Sequence, residues 1–121
     1  MSSAKLESGL VSRLERLTGE DGTCCVPEYR GLARDLTGSP RFSSALARAR
    51  ALADESRLTA VGLLRRKPEL CACEIQASLG VTHATVSHHM RILEGAGLVS
   101  SERRGKWMYY RLNDKEGVRL P

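Results

Sequence analysis

The stretch from Cys71 to Leu112 constrains the fold more than any other part of the chain. Glu74, Ile75 and Leu79 fall on a short helix that Gly80 stops, since glycine takes the positive φ of a tight turn without steric cost. Thr82 is placed to cap a second helix. There Val86, Met90 and Leu93 share one face, while His83, Thr85, Ser87, His88 and Arg91 face outward. Gly95 and Gly97 close that helix. Leu98 to Ser101 and Trp107 to Leu112 then read as two strands joined by Glu102-Arg103-Arg104-Gly105-Lys106. The order predicts a mainly α fold with a small β-hairpin, a winged helix-turn-helix. The second helix turns small polar residues outward and no bulky apolar ones, which suits a duplex major groove. The hairpin tip, with three cations and a glycine, suits phosphates.

Upstream, helical spacing continues. Leu6, Leu10, Leu14 and Leu17 line one face of a first helix that Thr18-Gly19 ends. Pro27 fits the first position of a second helix bearing Tyr29, Leu32, Ala33 and Leu36, with Cys24-Cys25 just ahead of it. Ser39-Pro40 starts a third, with Phe42, Ala45, Leu46, Ala49, Leu52 and Ala53 on one face. Asp54 caps a fourth, through Leu58, Val61 and Leu64, which Lys67-Pro68 breaks. The chain therefore divides into a helical arm over 1–38 carrying a cysteine pair and a DNA-binding domain over 39–121. At 121 residues and 41% hydrophobic it can bury one modest core, and a dimer would cover more of its apolar surface. The formal net charge of +5 favours an anionic partner, and 4% aromatic content argues against a binder that stacks single-stranded bases. No run approaches the ~20 apolar residues of a membrane span, and no signal core opens the chain. A cytoplasmic location follows as the expectation, and with it four cysteines that act as thiols or metal ligands rather than disulfides. Neither a phosphate-binding glycine loop nor paired carboxylates with a histidine base appear, so no enzyme and no small organic substrate are expected.

The residues resemble the ArsR/SmtB metal-responsive repressors. The likeness is carried by Ala53-Asp54-Glu55-Ser56-Arg57-Leu58, by Glu69-Leu70-Cys71-Ala72-Cys73-Glu74-Ile75, by Val86-Ser87-His88-His89-Met90 with Leu93, and by Gly105-Lys106 with Tyr110-Arg111-Leu112. Gln76 departs from the pattern, since such turns usually carry a small residue four places before the glycine. The resemblance implies a homodimer on a palindromic operator in double-stranded DNA, blocking transcription. Thr85, Ser87, His88 and Arg91 would then touch bases, and Arg103, Arg104 and Lys106 the backbone. It also implies dimer contacts through the helix near residues 42–53 and a C-terminal helix. The latter is short here after Asn113, and the Leu6–Leu17 face is expected to substitute for it.

Cys71-Ala72-Cys73 is the most informative short motif. Residues two apart on a regular helix diverge by about 200°, so both sulfurs reach one ligand only where the first turn is loosened. A helix start permits this, and its dipole, with Arg65, Arg66 and Lys67 close by, is expected to favour the thiolate that binds soft metals. With Cys24 and Cys25 there are up to four sulfur donors. They suit a three-sulfur pyramid for arsenite or antimonite, placed first, or a three- or four-sulfur site for cadmium, lead, mercury or zinc. In the resembled family a Cys-x-Cys at this place is the inducer site, completed in some members by arm cysteines, often of the other subunit. His83, His88 and His89 are better explained by DNA contact or packing than by metal. Two other regulators of the same fold stay open, one sensing redox through these thiols and one binding DNA regardless of metal.

Overall fold

The computed structural model describes residues 3–19 and 22–113, with side chains described for 9–17, 19 and 26–113. Two compact units, Met1–Ser43 and Ser44–Pro121, share the chain. In the first, α1 (Ser3–Thr18) packs on α2 (Gly22–Thr37). Gly19 ends α1 at φ 72°, its amide donating to the Glu15 carbonyl at 2.9 Å. The second helix does not start at Pro27. It starts at Gly22 and carries Pro27 inside as its sixth residue, where the ring keeps a helical φ but gives up one rung of the ladder. Cys24 and Cys25 thus lie in the first turn of α2 rather than ahead of it, and their side chains are outside the described residues, as is that of Leu6. Tyr29, Leu32 and Leu36 are exposed.

The third helix, α3 (Pro40–Leu52), starts as its sequence predicts. Ser39 Oγ accepts from the Phe42 amide at 3.2 Å and donates to the Leu36 carbonyl at 2.9 Å. Phe42, Ala45, Leu46 and Ala49 are exposed on it, and only Ala51 is sealed. In the second unit α4 (Glu55–Arg66) is capped by Asp54, which accepts from the Arg57 amide at 3.0 Å. Then come β1 (Leu70–Cys71), α5 (Ala72–Leu79), α6 (His83–Gly95), β2 (Val99–Arg104) and β3 (Trp107–Leu112). Between α5 and α6, Gly80 takes φ 68° and its amide donates to the Gln76 carbonyl at 2.9 Å, so Gln76 leaves the turn intact.

Two details of the sheet differ from the expectation. It has three antiparallel strands in the order β1-β3-β2, Leu70 pairing with Tyr110 and Cys71 with Tyr109. A two-residue strand is too short to show period-two alternation, which is why only a hairpin was legible. Strand β2 also runs to Arg104, which pairs with Trp107. The five-residue tip thereby shrinks to Gly105-Lys106, with Gly105 at φ 63° in the position that a two-residue hairpin turn gives to glycine.

One core holds the second unit together. Val61 and Leu64 of α4, Ile75 of α5, Val86, Met90 and Leu93 of α6, and Val99 of β2 are essentially sealed from solvent. Full burial of such a side chain stabilises by about 1.5–3 kcal/mol. Leu58, expected on the inner face of α4, is exposed instead.

Candidate nucleic-acid interface and thiol site

The inner side of α6 is fastened twice. Val86, Met90 and Leu93 anchor it in the core. His89 Nδ1 lies 3.2 Å from Arg57 Nη1 and 3.9 Å from Asp54 Oδ2, while Arg57 Nε donates to the Ala51 carbonyl at 2.6 Å. The guanidinium can only donate, so in that contact Nδ1 is the acceptor. His89 is therefore a packing residue. The opposite face presents His83, Ala84, His88 and Arg91, all exposed, with Ser87 half-buried beside them. Thr85 stands at the edge of that face, about 60° around the helix from His88. It is half-buried at the helix start, its amide donating to Thr82 Oγ1 at 3.2 Å and its hydroxyl 2.9 Å from the same oxygen. Ala84 was missed in the sequence because it has no polar group. The 100° step of the helix nonetheless places it between His88 and Arg91 on the outer face.

On the wing, Arg103 is exposed and Lys106 sits at the turn, its Nζ 5.9 Å from the Trp107 ring centre. Arg104 is not a free cation. Its guanidinium forks onto Glu69, Nη1 to Oε1 at 2.7 Å and Nη2 to Oε2 at 2.6 Å, and also reaches Glu102 at 3.0 Å. It lies 4.5 Å over the Tyr109 ring as well. These partners raise its pKa further and hold the Glu102 carboxyl below the ordinary range. Two carboxylates and an aromatic face already meet the donors expected to reach DNA, so Arg104 is a tie between β2 and the residue preceding β1.

Cys71 and Cys73 straddle the junction of β1 and α5. Cys71 has extended backbone (φ −81°, ψ 161°) as the N-cap of α5, so the pair is not two steps along one regular helix. Its amide donates to Glu74 Oε1 at 2.9 Å, and its sulfur accepts from the Glu74 amide, a reciprocal capping box. The expectation of a favoured thiolate is corrected here. Burial pushes the Cys71 thiol up, and the Glu74 carboxylate beside it adds to that rise, against a lowering by the Glu74 amide. Lys67 bears on Glu74 and helps keep its carboxyl low, behind the larger effect of the hydrogen bonds from Cys71. Besides burial, it is the carboxylate three residues along, rather than the nearby cations, that bears on the thiol.

Cys71 is half-buried and Cys73 exposed, both free thiols. Among the described residues no group of three or more His, Cys, Asp or Glu gathers to hold a metal. Two sulfur donors at one junction fit the start of a soft-ion site, and any third must come from outside that set. Cys73 and Ala72 also line a cleft of about 230 Å³. One side of it is His83 and Ser87 of α6, the other Arg103 and Lys106 of the wing.

Two helices about a glycine turn and a hairpin closing on the same sheet define a winged helix-turn-helix domain. A family described as "Bacterial regulatory protein, arsR family" matches residues 54–101. An arsenical resistance operon repressor of Bacillus subtilis is 39% identical over 67 residues, 55% of this chain and 64% of that protein. An uncharacterized HTH-type transcriptional regulator of Methanocaldococcus jannaschii is 35% identical over 74 residues, 59% of this chain and 83% of that protein. The solution structure of a homodimeric winged helix-turn-helix DNA-binding domain from Mycobacterium bovis, described as a possible ArsR-family regulator, superposes with TM-score 0.61 at 26% identity, covering 66% of this chain and 73% of that one. The chain belongs to the ArsR/SmtB family of transcriptional regulators. It spans about half to two thirds of the first curated relatives it matches, 48% to 64% of their length. No helix among the described residues is long and apolar enough to cross a membrane.

Proposed function

We propose that the protein is a homodimeric repressor that binds operator DNA in the cytoplasm and is released when a thiophilic ion binds its cysteines. Cys71 and Cys73 supply two sulfurs and the arm pair Cys24 and Cys25 the remainder, from the same or the other subunit. Arsenite or antimonite is the favoured inducer, and cadmium, lead or mercury the next. Ser87, His88 and Arg91 read bases, with His83 and Ala84 on the same face. Arg103 and Lys106 hold phosphates, and Arg104 is left to its carboxylates. The exposed Phe42, Ala45, Leu46 and Ala49 of α3 meet a second copy, the small alanines allowing close approach.

The observation that carries this reading is the position of Cys71-Ala72-Cys73. The two thiols occupy the cap and first turn of the helix that seats α6, so an ion drawn onto them acts where the reading helix is held. Linkage then demands a reciprocal coupling, typically on the order of 1–3 kcal/mol, between ion and DNA. The test is a labelled promoter fragment challenged with a panel of these ions. Cys71→Ser with Cys73→Ser should leave DNA binding intact and abolish release, and release that persists in the double variant refutes the site. Sulfur-to-metal absorbance bands count the ligands, and thiol titration with and without oxidant separates an ion sensor from a redox sensor.

A further inference from the structure

The cleft bordered by Cys73 joins two cations to an apolar lining of Ala72, Trp107, Met108 and Tyr110. Arg103 and Lys106 face it from the wing, Ser87 and His83 offer hydrogen-bonding groups from α6, and no carboxylate is among its lining residues. The first turn of α5 opens into it through Ala72 and Cys73. The capping box takes up the amides of Cys71 and Glu74, and those of Ala72 and Cys73, next to the cleft, are first-turn amides that the helix itself does not partner. The cleft is also continuous with the exposed face of α6 at Ser87 and with the exposed Arg103. A duplex whose major groove received that face would have a backbone strand beside the cleft.

We propose that a backbone phosphodiester of the operator seats in this cleft, so that Cys73 lies within the DNA interface and a ligand on its sulfur excludes the operator directly. This rests on the reading that α6 and the wing bind DNA, and it deepens that reading by assigning the route of release. The phosphate lies against Arg103, Lys106 and the start of α5. Anything attached to Cys73, whether a soft ion or an uncharged organic group, fills the same space. Release then needs no second sulfur once Cys73 is occupied, and distortion of α5 is a separate, additional route.

The experiment uses alkylation and no metal, so it stands apart from the ion site. A variant with Cys24, Cys25 and Cys71 replaced by serine keeps Cys73 as its one thiol. It is treated with iodoacetamide, free or saturated with a labelled duplex carrying the promoter region of its own gene. Bound duplex should slow modification at least about tenfold, because reaction requires access to the sulfur. Salt high enough to dissociate the complex should restore the free rate. The carbamidomethylated protein should bind the duplex at least about tenfold more weakly, and the protein carboxymethylated with iodoacetate more weakly still, since that adduct adds negative charge where a phosphate must sit. Equal modification rates with and without bound duplex overturn the proposal, as does unchanged affinity after carbamidomethylation. If the triple variant does not bind, peptide mass mapping of the alkylated wild type gives the same ratio at Cys73. Failure of the wild type to bind the duplex overturns the DNA reading and this inference with it.

Discussion

Two neighbouring arginines on the wing should behave as different kinds of residue. Arg103 is exposed, and among the described residues no carboxylate is paired with it. Arg104 is forked onto Glu69, bonded to Glu102 and stacked on Tyr109. Each phosphate neutralised on duplex DNA contributes about 0.9 to the slope of log affinity against log salt. In a homodimer Arg103→Ala removes two such contacts and should reduce the slope by about 1.8. Between 50 and 200 mM salt, a fourfold change, the variant should therefore lose about 12-fold less affinity than the wild type does. Arg104→Ala should leave the slope unchanged and lower the melting temperature by a few degrees, the loss being small because exposed ion pairs are individually weak. Fluorescence anisotropy with a labelled promoter duplex across a salt series gives the slopes, and circular dichroism the melting points. A slope that falls as far for Arg104→Ala as for Arg103→Ala, with no change in melting temperature, would refute the assignment of the fork.

Two further outcomes follow from the core and the thiols. Met90 is fully buried under α6, and Met90→Ala should cost about 2–5 kcal/mol, read as an earlier unfolding transition in denaturant. With Cys71 as a ligand, ion binding must expel its proton, and that thiol is raised by burial and by Glu74, so ion affinity should climb as pH rises from 6 to 8, by up to about tenfold per unit for that one proton. Glu74→Gln removes the negative charge and should draw the Cys71 thiol down, raising ion affinity across this pH range while leaving its slope unchanged, because burial still holds the thiol protonated. An isotherm series insensitive to pH would mean that Cys71 is not a ligand.

Much of the fold was legible because its signals are local. Asp54, Ser39 and Thr82 cap where they should, and Val86, Met90 and Leu93 bury as their spacing requires. What stayed hidden is non-local or chemically mute. Arg104 and its partner Glu69 lie 35 residues apart, and no sequence pattern brings them together. Strand β1 exists through its pairing with β3, which two residues cannot announce. Charged Glu102, Arg103 and Arg104 read as loop, although the ladder carries them into β2 opposite Tyr109, Met108 and Trp107. Polarity alone marks Thr85 as a base contact, whereas its hydroxyl lies 2.9 Å from that of the cap residue Thr82, a pairing that polarity does not reveal. The cations around Cys71 are plain in the sequence, whereas the burial that raises its thiol belongs to the fold.

The junction at Cys71 allows two routes from ion to DNA, and the size of the coupling separates them. An ion on Cys71 takes its sulfur from the Glu74 amide and strains a residue that also pairs with Tyr109, so α5 loses its cap and its tie to the sheet together. Through Ile75 and the Gly80 turn, such a shift reaches α6, because close-packed cores transmit displacement rather than absorb it. A lever of this kind weakens DNA binding by a finite factor, and at high protein concentration a complex of protein, ion and DNA still forms. Direct exclusion at Cys73 permits no such complex in the seated geometry. Titrating DNA into ion-loaded protein at rising concentration therefore discriminates. A plateau in apparent affinity means that the Cys71 lever dominates, and affinity that falls without limit as ion is added means that Cys73 and the operator phosphate share one seat.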